Sequence, residues 1–349
     1  MIKKWKEIKQ WEYWPSWCFY LPLLPFFVSE LIKKGHPYTF YLHVNPSLPL
    51  SGHGNESKYR TLELLPSKYI PKSKLLRLDA NLTDWLNHGF SYPLIIKPDK
   101  GYRGLGVFKI NSQEQLIEVY QKELKVLREK APQLEYIFQE FLQTNEEFAV
   151  FTIKNVKTGQ FFISSLTQKE FMDIKGDGHS TLKELIWNHP RAIFYSTLYQ
   201  KANLNLEVIL GHNETLRLSD IGNHSKGTRF LNINSKIQPE LNRTFNNLVK
   251  GISGFNYGRF DIKANSLEDL IAGQFKIIEL NGIIAEPVHI YDATTMTYPK
   301  AIKSLKWHWK QLSDIAIIES QKREKISWRT YLKDIKQIQR NKTLLESSL

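Results

Sequence analysis

The sequence predicts an α/β or α+β fold whose strands are joined by hairpins rather than by regular crossovers. Apolar runs of strand length recur from Pro93 onward, helix-like stretches separate several of them, and one pair of runs flanks a glycine-rich loop. Each element has its own local signal.

Residues 1–50 are aromatic and punctuated by proline, with a helix-like stretch at 26–34 and a strand-like one at 38–44. Residues 52–58 read as a loop that leads into a helix at 59–65. Residues 94–97 read as a buried strand and 107–110 as a second. Ser112 and Gln115 have capping-box spacing, which opens a long helix to about Lys130. Strands follow at 136–142, 148–154 and 161–166, and helices at 181–187 and 239–251 precede strands at 259–263 and 275–280. No internal repeat or low-complexity tract interrupts this order.

A chain of 349 residues is long enough for two or three lobes, each with a core. Its 42% hydrophobic and 24% charged content is ordinary for a soluble globular protein. The single cysteine, Cys18, excludes an internal disulfide and a multi-cysteine metal site. It reads as a small buried hydrophobe in a reducing, cytoplasmic setting. The apolar run from Cys18 to Val28 contains Pro22 and Pro25 and is too short for a spanning helix, which needs roughly 20 residues. Glu7 interrupts the basic start and no small-residue cleavage site follows, so a signal peptide is not expected.

Of the net charge of +13, twelve Lys/Arg against five Asp/Glu from Lys300 onward account for +7. In that stretch Trp307, Trp309, Ile315, Ile317, Ile318, Trp328, Ile335 and Ile338 mix with basic positions at roughly helical spacing. A docked C-terminal helix with a solvated basic face is the preferred reading. Peripheral contact with an inner membrane surface, or with another acidic surface, is the alternative. No nucleic-acid motif accompanies the charge, so no nucleic acid is expected.

The chemistry begins at Lys97-Pro-Asp-Lys-Gly101-Tyr-Arg-Gly104-Leu-Gly106. Glycines let a backbone approach phosphates closely and offer free N–H groups to anionic oxygens. A P-loop or dinucleotide fingerprint must open a helix. Here the next run is strand-like, so the loop reads as a flap between two strands, with Lys97 at the end of the leading one. The second constellation is Gly258-Arg-Phe-Asp261-Ile with Ile277-Ile-Glu279-Leu-Asn281-Gly. Residues two apart on a strand share a face, which pairs Arg259 with Asp261 and Glu279 with Asn281. If the two strands pair antiparallel, they gather two carboxylates, an amide oxygen and a guanidinium, with Ile262, Ile277 and Ile278 turned to a core. Such hard oxygen donors suit Mg²⁺, and Arg259 would stabilise charge on a transferred phosphoryl group. A salt-bridged sheet face is the plainer alternative.

The order of glycine flap, Glu-Phe-Leu, second Glu, Gly-Arg-Phe-Asp and Glu-Leu-Asn-Gly resembles the ATP-grasp superfamily, over about Lys58 to Asp292. Within it the nearest look is to the D-alanine–D-alanine ligase and cyanophycin synthetase branches. The resemblance implies an α+β (α/β) ATP-grasp fold, with two α+β subdomains clasping ATP. It divides the chain into a reduced aromatic-rich N-terminal lobe (1–57), a lid subdomain with the glycine flap (58–145), a catalytic subdomain with a metal site (146–305) and a basic helical tail (306–349). Lys58 and Lys97 resemble the two nucleotide lysines, and Gly101, Gly104 and Gly106 the flap. Glu140, Phe141 and Leu142 resemble the hinge strand that meets adenine, and Glu147 the ribose-binding carboxylate. Asp261, Glu279 and Asn281 match the metal ligands, for Mg²⁺ with Mn²⁺ as an alternative, and Arg259 with Lys97 the catalytic cations. The segment around Asp177 looks like the Gly-Asp-Gly stretch of cyanophycin synthetases. His224, Gly227 and Thr228 look like their small-residue loop near the substrate.

These matches imply an ATP-dependent ligase joining a small-molecule carboxylate to an amine or thiol through an acyl phosphate, with release of ADP and phosphate. After Asn281 the chain reads Gly-Ile-Ile-Ala-Glu286-Pro-Val-His289-Ile-Tyr291-Asp292, unlike the Pro-Gly turn of D-alanine–D-alanine ligases. That departure argues against D-alanyl-D-alanine as the product. An ATP-grasp kinase and a non-catalytic membrane-surface protein are the rival readings.

Overall fold

The computed structural model describes residues 10–34, 38–101, 104–201 and 204–348. Strands β1 (Ser73–Arg77), β2 (Leu94–Pro98), β3 (Phe108–Ile110) and β4 (Glu135–Glu140) form an antiparallel sheet in the order β1-β4-β2-β3. Leu94, Ile96, Tyr136 and Phe138 alternate onto one face of it. There they pack with Trp85, Leu116, Tyr120, Leu124 and Leu127. The helix expected at 112–130 forms as two α-helical pieces, Gln113–Glu118 and Lys125–Lys130, joined by a π-helical turn at Val119–Glu123. Ser112 Oγ accepts from Gln115 N at 3.3 Å, but Gln115 Oε1 reaches back to Asn111 N, one residue before the N-cap, at 2.7 Å.

Strands β5 (Glu146–Lys154) and β6 (Phe161–Glu170) begin a second sheet. A two-stranded ribbon, β7 (Asp173–Lys175) with β8 (Thr215–Arg217), follows and has its own small core around Ile174, Leu182 and Tyr199. Strands β9 (Arg229–Asn232), β10 (Tyr257–Ala264) and β11 (Lys276–Asn281) complete the second sheet, which is antiparallel in the order β11-β10-β5-β6-β9. Helix α1 (Lys58–Glu63) and helix α2 (Pro239–Lys250) cover one face of it. Leu62, Leu241, Phe245 and Val249 meet Phe148, Val150, Phe260, Ile262 and Ile277 there. Helix α1 therefore packs on the second sheet, although it precedes the first.

The opposite face of the second sheet is shared. One end holds Phe151, Ile153 and Tyr257 against helix α3 (Tyr298–Ser320) and against Phe40, Tyr41 and Val44. The other end is left for the polar cleft. The stretch expected as a strand at 38–44 is a 3-10 helix, Tyr38–His43, buried from Thr39 to His43. Aromatic and β-branched residues were enriched there because the stretch is buried, not because it is extended. Asn45 fastens the N-terminal region to the sheet: its Nδ2 donates to Tyr257 O at 2.7 Å and its Oδ1 accepts from Asn256 N at 2.8 Å.

Helix α3 begins at Tyr298, so the boundary expected at 305/306 falls inside it. Helix α4 (Trp328–Ser348) docks through Leu345 on the core of the first sheet. Cys18, expected to be buried, is half-buried. No helix among the described residues is long and apolar enough to cross a membrane.

Candidate active site

The antiparallel register of β10 and β11 sets Arg259 opposite Asn281 and Asp261 opposite Glu279. The four side chains therefore share one face, as the alternation predicts. Gly258 permits the close approach of the strands, since a Cβ there would meet Asn281 O at 2.2 Å. Between Asp261 and Ile262 the register shifts, and Ile278 is the extra residue on β11. Ile262 and Ile277 are fully buried as expected. The bulge instead puts Ile278 on the cleft wall, where its carbonyl accepts from Lys97 Nζ at 3.3 Å.

Asp261 is surrounded by nitrogen donors. Arg259 binds it bidentately, with Nε and Nη2 each 3.1 Å from an oxygen, and Asn281 Nδ2 lies at 3.3 Å. Lys169 Nζ, from β6, lies 3.2 Å from Asp261 Oδ1 and 2.6 Å from Glu147 Oε1. Glu147 stands in register with Lys263 on one side and Lys169 on the other. This buried chain of alternating charge ties three strands together.

Facing it, α1 and β2 supply two more lysines. Asp99 holds the start of α1, accepting from Ser57 Oγ and Tyr59 N at 2.9 Å each. Lys58 Nζ donates to Glu279 Oε1. Burial alone would raise the Glu279 carboxyl, but Lys58, then Lys97 and Arg259, hold it well below the usual carboxylate range. Lys97 bonds neutral oxygens instead, Gln139 Oε1 at 3.1 Å and the Ile278 carbonyl. Burial consequently pulls its pKa down to about 8, with Glu279 opposing.

The glycine loop joins β2 and β3 as an antiparallel hairpin, the flap expected from the sequence. Gly104 and Gly106 have φ of +79° and +68°. An L side chain adopts that region at a cost of roughly 1–2 kcal/mol. The flap leans on the loop 220–228: a Cβ on Gly104 would lie 3.3 Å from Ile221, and Lys109 Nζ bonds Asp220 at 3.0 Å. On its inner side that loop touches the carboxylates, because a Cβ on Gly222 would lie 2.5 Å from Glu147 Oε1.

The far end of the cleft is closed by the N-terminal segment. Glu12 Oε2 lies 2.8 Å from Arg191 Nη1 and 3.2 Å from His224 Nε2. Burial would raise the Glu12 carboxyl, but the His224 hydrogen bond and the Arg191 charge bring it below its ordinary value. Tyr13 stacks on Phe194 with centroids 4.3 Å apart. Trp11, Trp14, Tyr20 and Tyr291 line the same end. Burial raises the Glu286 carboxyl there, against a 2.8 Å hydrogen bond from the Tyr291 hydroxyl.

One cleft of about 740 Å³ thus gathers Lys58, Lys97, Gly101, Gly104, Glu140, Phe141, Leu142, Glu147, His224, Arg259, Asp261, Glu279 and Asn281. Others of the expected set sit apart from its wall. Gly227 and Thr228 hold the loop from behind, their carbonyls accepting from Arg191 at 2.9 and 3.0 Å. Glu140, which is on the wall, also accepts at Oε1 from Lys72 N at 2.8 Å, which ties β4 to the segment entering β1. Asp177 caps a local turn, accepting from Ser180 N at 2.7 Å, and leads into a helix with a full Thr181–Glu184 capping box. Sequence reasoning missed Lys169, Gln139, Glu12, Arg191 and Glu286. Lys169 lies beyond the strand expected at 161–166, in the polar stretch Thr167–Glu170 that the structure adds to β6.

Glu279 and Asn281 offer hard oxygens toward the cleft beside Asp261, which fits Mg²⁺ in kind. Asp261 would have to exchange at least one of its N–H partners for the metal.

No protein-family model and no curated protein sequence matches the chain. Among solved structures, it is similar to a D-alanine–D-alanine ligase from Bacillus anthracis at 16% identity and a TM-score of 0.43, covering 84% of this chain and 73% of that one. The VanG D-Ala:D-Ser ligase from Enterococcus faecalis is similar at 12% identity and a TM-score of 0.42, with 78% and 64% covered. A bifunctional glutathione synthetase from Pasteurella multocida is similar at 15% identity and a TM-score of 0.36, with 71% and 35% covered.

Proposed function

We propose that this chain is an ATP-dependent ligase of the ATP-grasp type, which activates a carboxylate as an acyl phosphate and passes it to an amine or thiol. The observation that carries the reading is the meeting of Lys58 and Lys97 with Arg259, Asp261 and Glu279 in one cleft beneath a glycine hairpin. Lys97 pairs with no carboxylate among the described residues, and it is the cation best placed to take a phosphate. The flap's glycines let backbone N–H groups approach the same oxygens. Lys169 and Arg259 supply further positive charge, and Phe141 with Leu142 an apolar wall for a base.

In this reading Asp261, Glu279 and Asn281 would hold Mg²⁺ or Mn²⁺, which when bound offsets charge on the phosphates. The chain's own residues orient the reactants and exclude water: the flap closes on loop 220–228, and the aromatic N-terminal segment closes the other end. Attack of the carboxylate oxygen on the γ-phosphorus breaks its bond to ADP. The amine then attacks the acyl carbon, phosphate leaves, and the amine gives up a proton. Glu286, a carboxylate on the cleft wall, is the residue we assign to receive it. The substrates are small molecules, and the reaction suits a cytoplasmic setting.

Screening amino acids and short peptides as acid and amine for ADP release tests the reading. Release that requires both partners is expected. Release with the acid alone, leaving a stable phosphorylated product, would make the chain a kinase instead.

A further inference from the structure

The segment that closes the cleft carries a second surface on its other side. Helices Ser16–Tyr20 and Leu24–Lys34, joined by the 3-10 turn Leu21–Leu23, send Phe19 and Leu23 inward onto Ile290, Ala301 and Leu305. Outward they present Trp17, Leu21, Leu24, Val28 and Ile32, exposed at 72, 57, 54, 43 and 74%. Steps of four, three, four and four residues place these on one stripe, and Pro22 and Pro25 are exposed among them. No charged residue occurs between Glu12 and Glu30. So large an exposed apolar patch marks an interaction site.

Basic residues border the stripe. Helix Leu24–Lys34 runs beside α3 in the same direction: Lys306 Nζ lies 5.7 Å from the Phe26 ring, Phe27 meets Trp309 at 5.2 Å, and Lys34 bonds Asp314 at 3.0 Å. Lys303, Lys306 and Lys310 follow one another at i, i+3 and i+7 along the same side of α3. Lys33 is exposed at the end of the neighbouring helix.

We propose that this face docks on an anionic lipid bilayer, with the stripe at the headgroup boundary and the lysine row over the headgroups. Charge complementarity selects this occupant, since a large uncharged stripe flanked by lysines matches an apolar layer beneath an anionic surface. With its apolar side chains divided between a core and an outer face, the segment lies on the bilayer and does not cross it. Trp14, Phe19 and Tyr20 of the same segment line the cleft, so docking brings that end of the cleft to the bilayer surface. The proposal does not depend on the reaction assigned to the cleft.

Co-sedimentation of the full chain, without nucleotide, is measured with vesicles of phosphatidylcholine alone and of phosphatidylcholine mixed with phosphatidylglycerol. The wild type is expected to bind the mixed vesicles at least about tenfold more strongly, and less so at high salt. L21E/V28E, which changes exposed residues outside the cleft, is expected to lose about tenfold or more with its unfolding midpoint retained. If that variant does not fold, Trp17→Ser carries the same test. Lys303→Gln with Lys310→Gln is expected to remove the preference for the mixed vesicles. Wild-type protein that sediments with neither vesicle, or L21E/V28E that binds as the wild type does, overturns the proposal. A dimer in sedimentation velocity that L21E/V28E dissociates also overturns it, since the face would then pair two copies of the chain.

Discussion

Lys58 Nζ donates to Glu279 Oε1 between residues 221 positions apart in the chain. The pair joins the first residue of α1 to the edge strand of the second sheet, and it neutralises a carboxylate that neither Arg259 nor Lys169 holds. Glu279→Gln keeps the shape and removes the charge. Its ADP release in the screened reaction is expected to fall on the order of 100-fold, as a metal held here is worth several kcal/mol of charge stabilisation. Undiminished release would end the catalytic assignment.

If Lys97 takes the phosphates as proposed, nucleotide affinity should depend on pH. With neutral partners it gives up its proton as pH rises through about 8. A polyphosphate favours the charged form, so binding takes up a proton above that value and weakens as pH rises further. Titration calorimetry at about pH 9 in two buffers of different protonation enthalpy counts the proton, and Lys97→Met should abolish it. Equal heats in both buffers for the wild type would contradict this account.

Lys169 is expected to be a stability residue as well as a site residue. Its side chain is 6% exposed, between Glu147 at 4% and Asp261 at 5%. Lys169→Met leaves two buried carboxylates short of a cation. The cost should be about 3 kcal/mol in urea unfolding, at the low end for a broken buried pair because Arg259 and Lys263 remain. Adding Glu147→Gln to that variant should recover part of the loss.

Acid should loosen α3 from the second sheet. His289 lies 2.7 Å from Ser165 Oγ and 3.1 Å from Ser304 Oγ, and His308 lies 3.1 Å from Ser164 Oγ. Burial lowers their pKa values to about 4 and about 3. A histidine held neutral in the fold contributes fully above its unfolded value of about 6.5 and loses that contribution as pH falls below it. The wild type should therefore lose stability from about pH 6.5 down to 4, and a His289→Gln/His308→Gln pair should lose less over that window in thermal unfolding.

Much of the site was legible because strand alternation is local. Arg259 with Asp261, and Glu279 with Asn281, each follow from a two-residue period, and strand-like flanks identified the glycine loop as a flap. Elsewhere local signals misled. Burial made residues 38–44 look like a strand, and a bulge turned Ile278 from the core to the cleft. Gln139 was passed over because a glutamine within an apolar strand carries no mark until Lys97 is opposite it.

By itself the sequence determined which side chains share a strand face and where the chain turns on glycine. These properties depend on neighbours a few residues apart, where backbone geometry leaves few choices. Only the tertiary structure decided that Lys169 bridges Glu147 and Asp261, that Glu12 reaches Arg191 and His224, and that a stripe from Trp17 to Ile32 is left uncovered. Each of these depends on strand register and helix docking. Those are set by burying the whole core at once, and no local stretch of the chain encodes them.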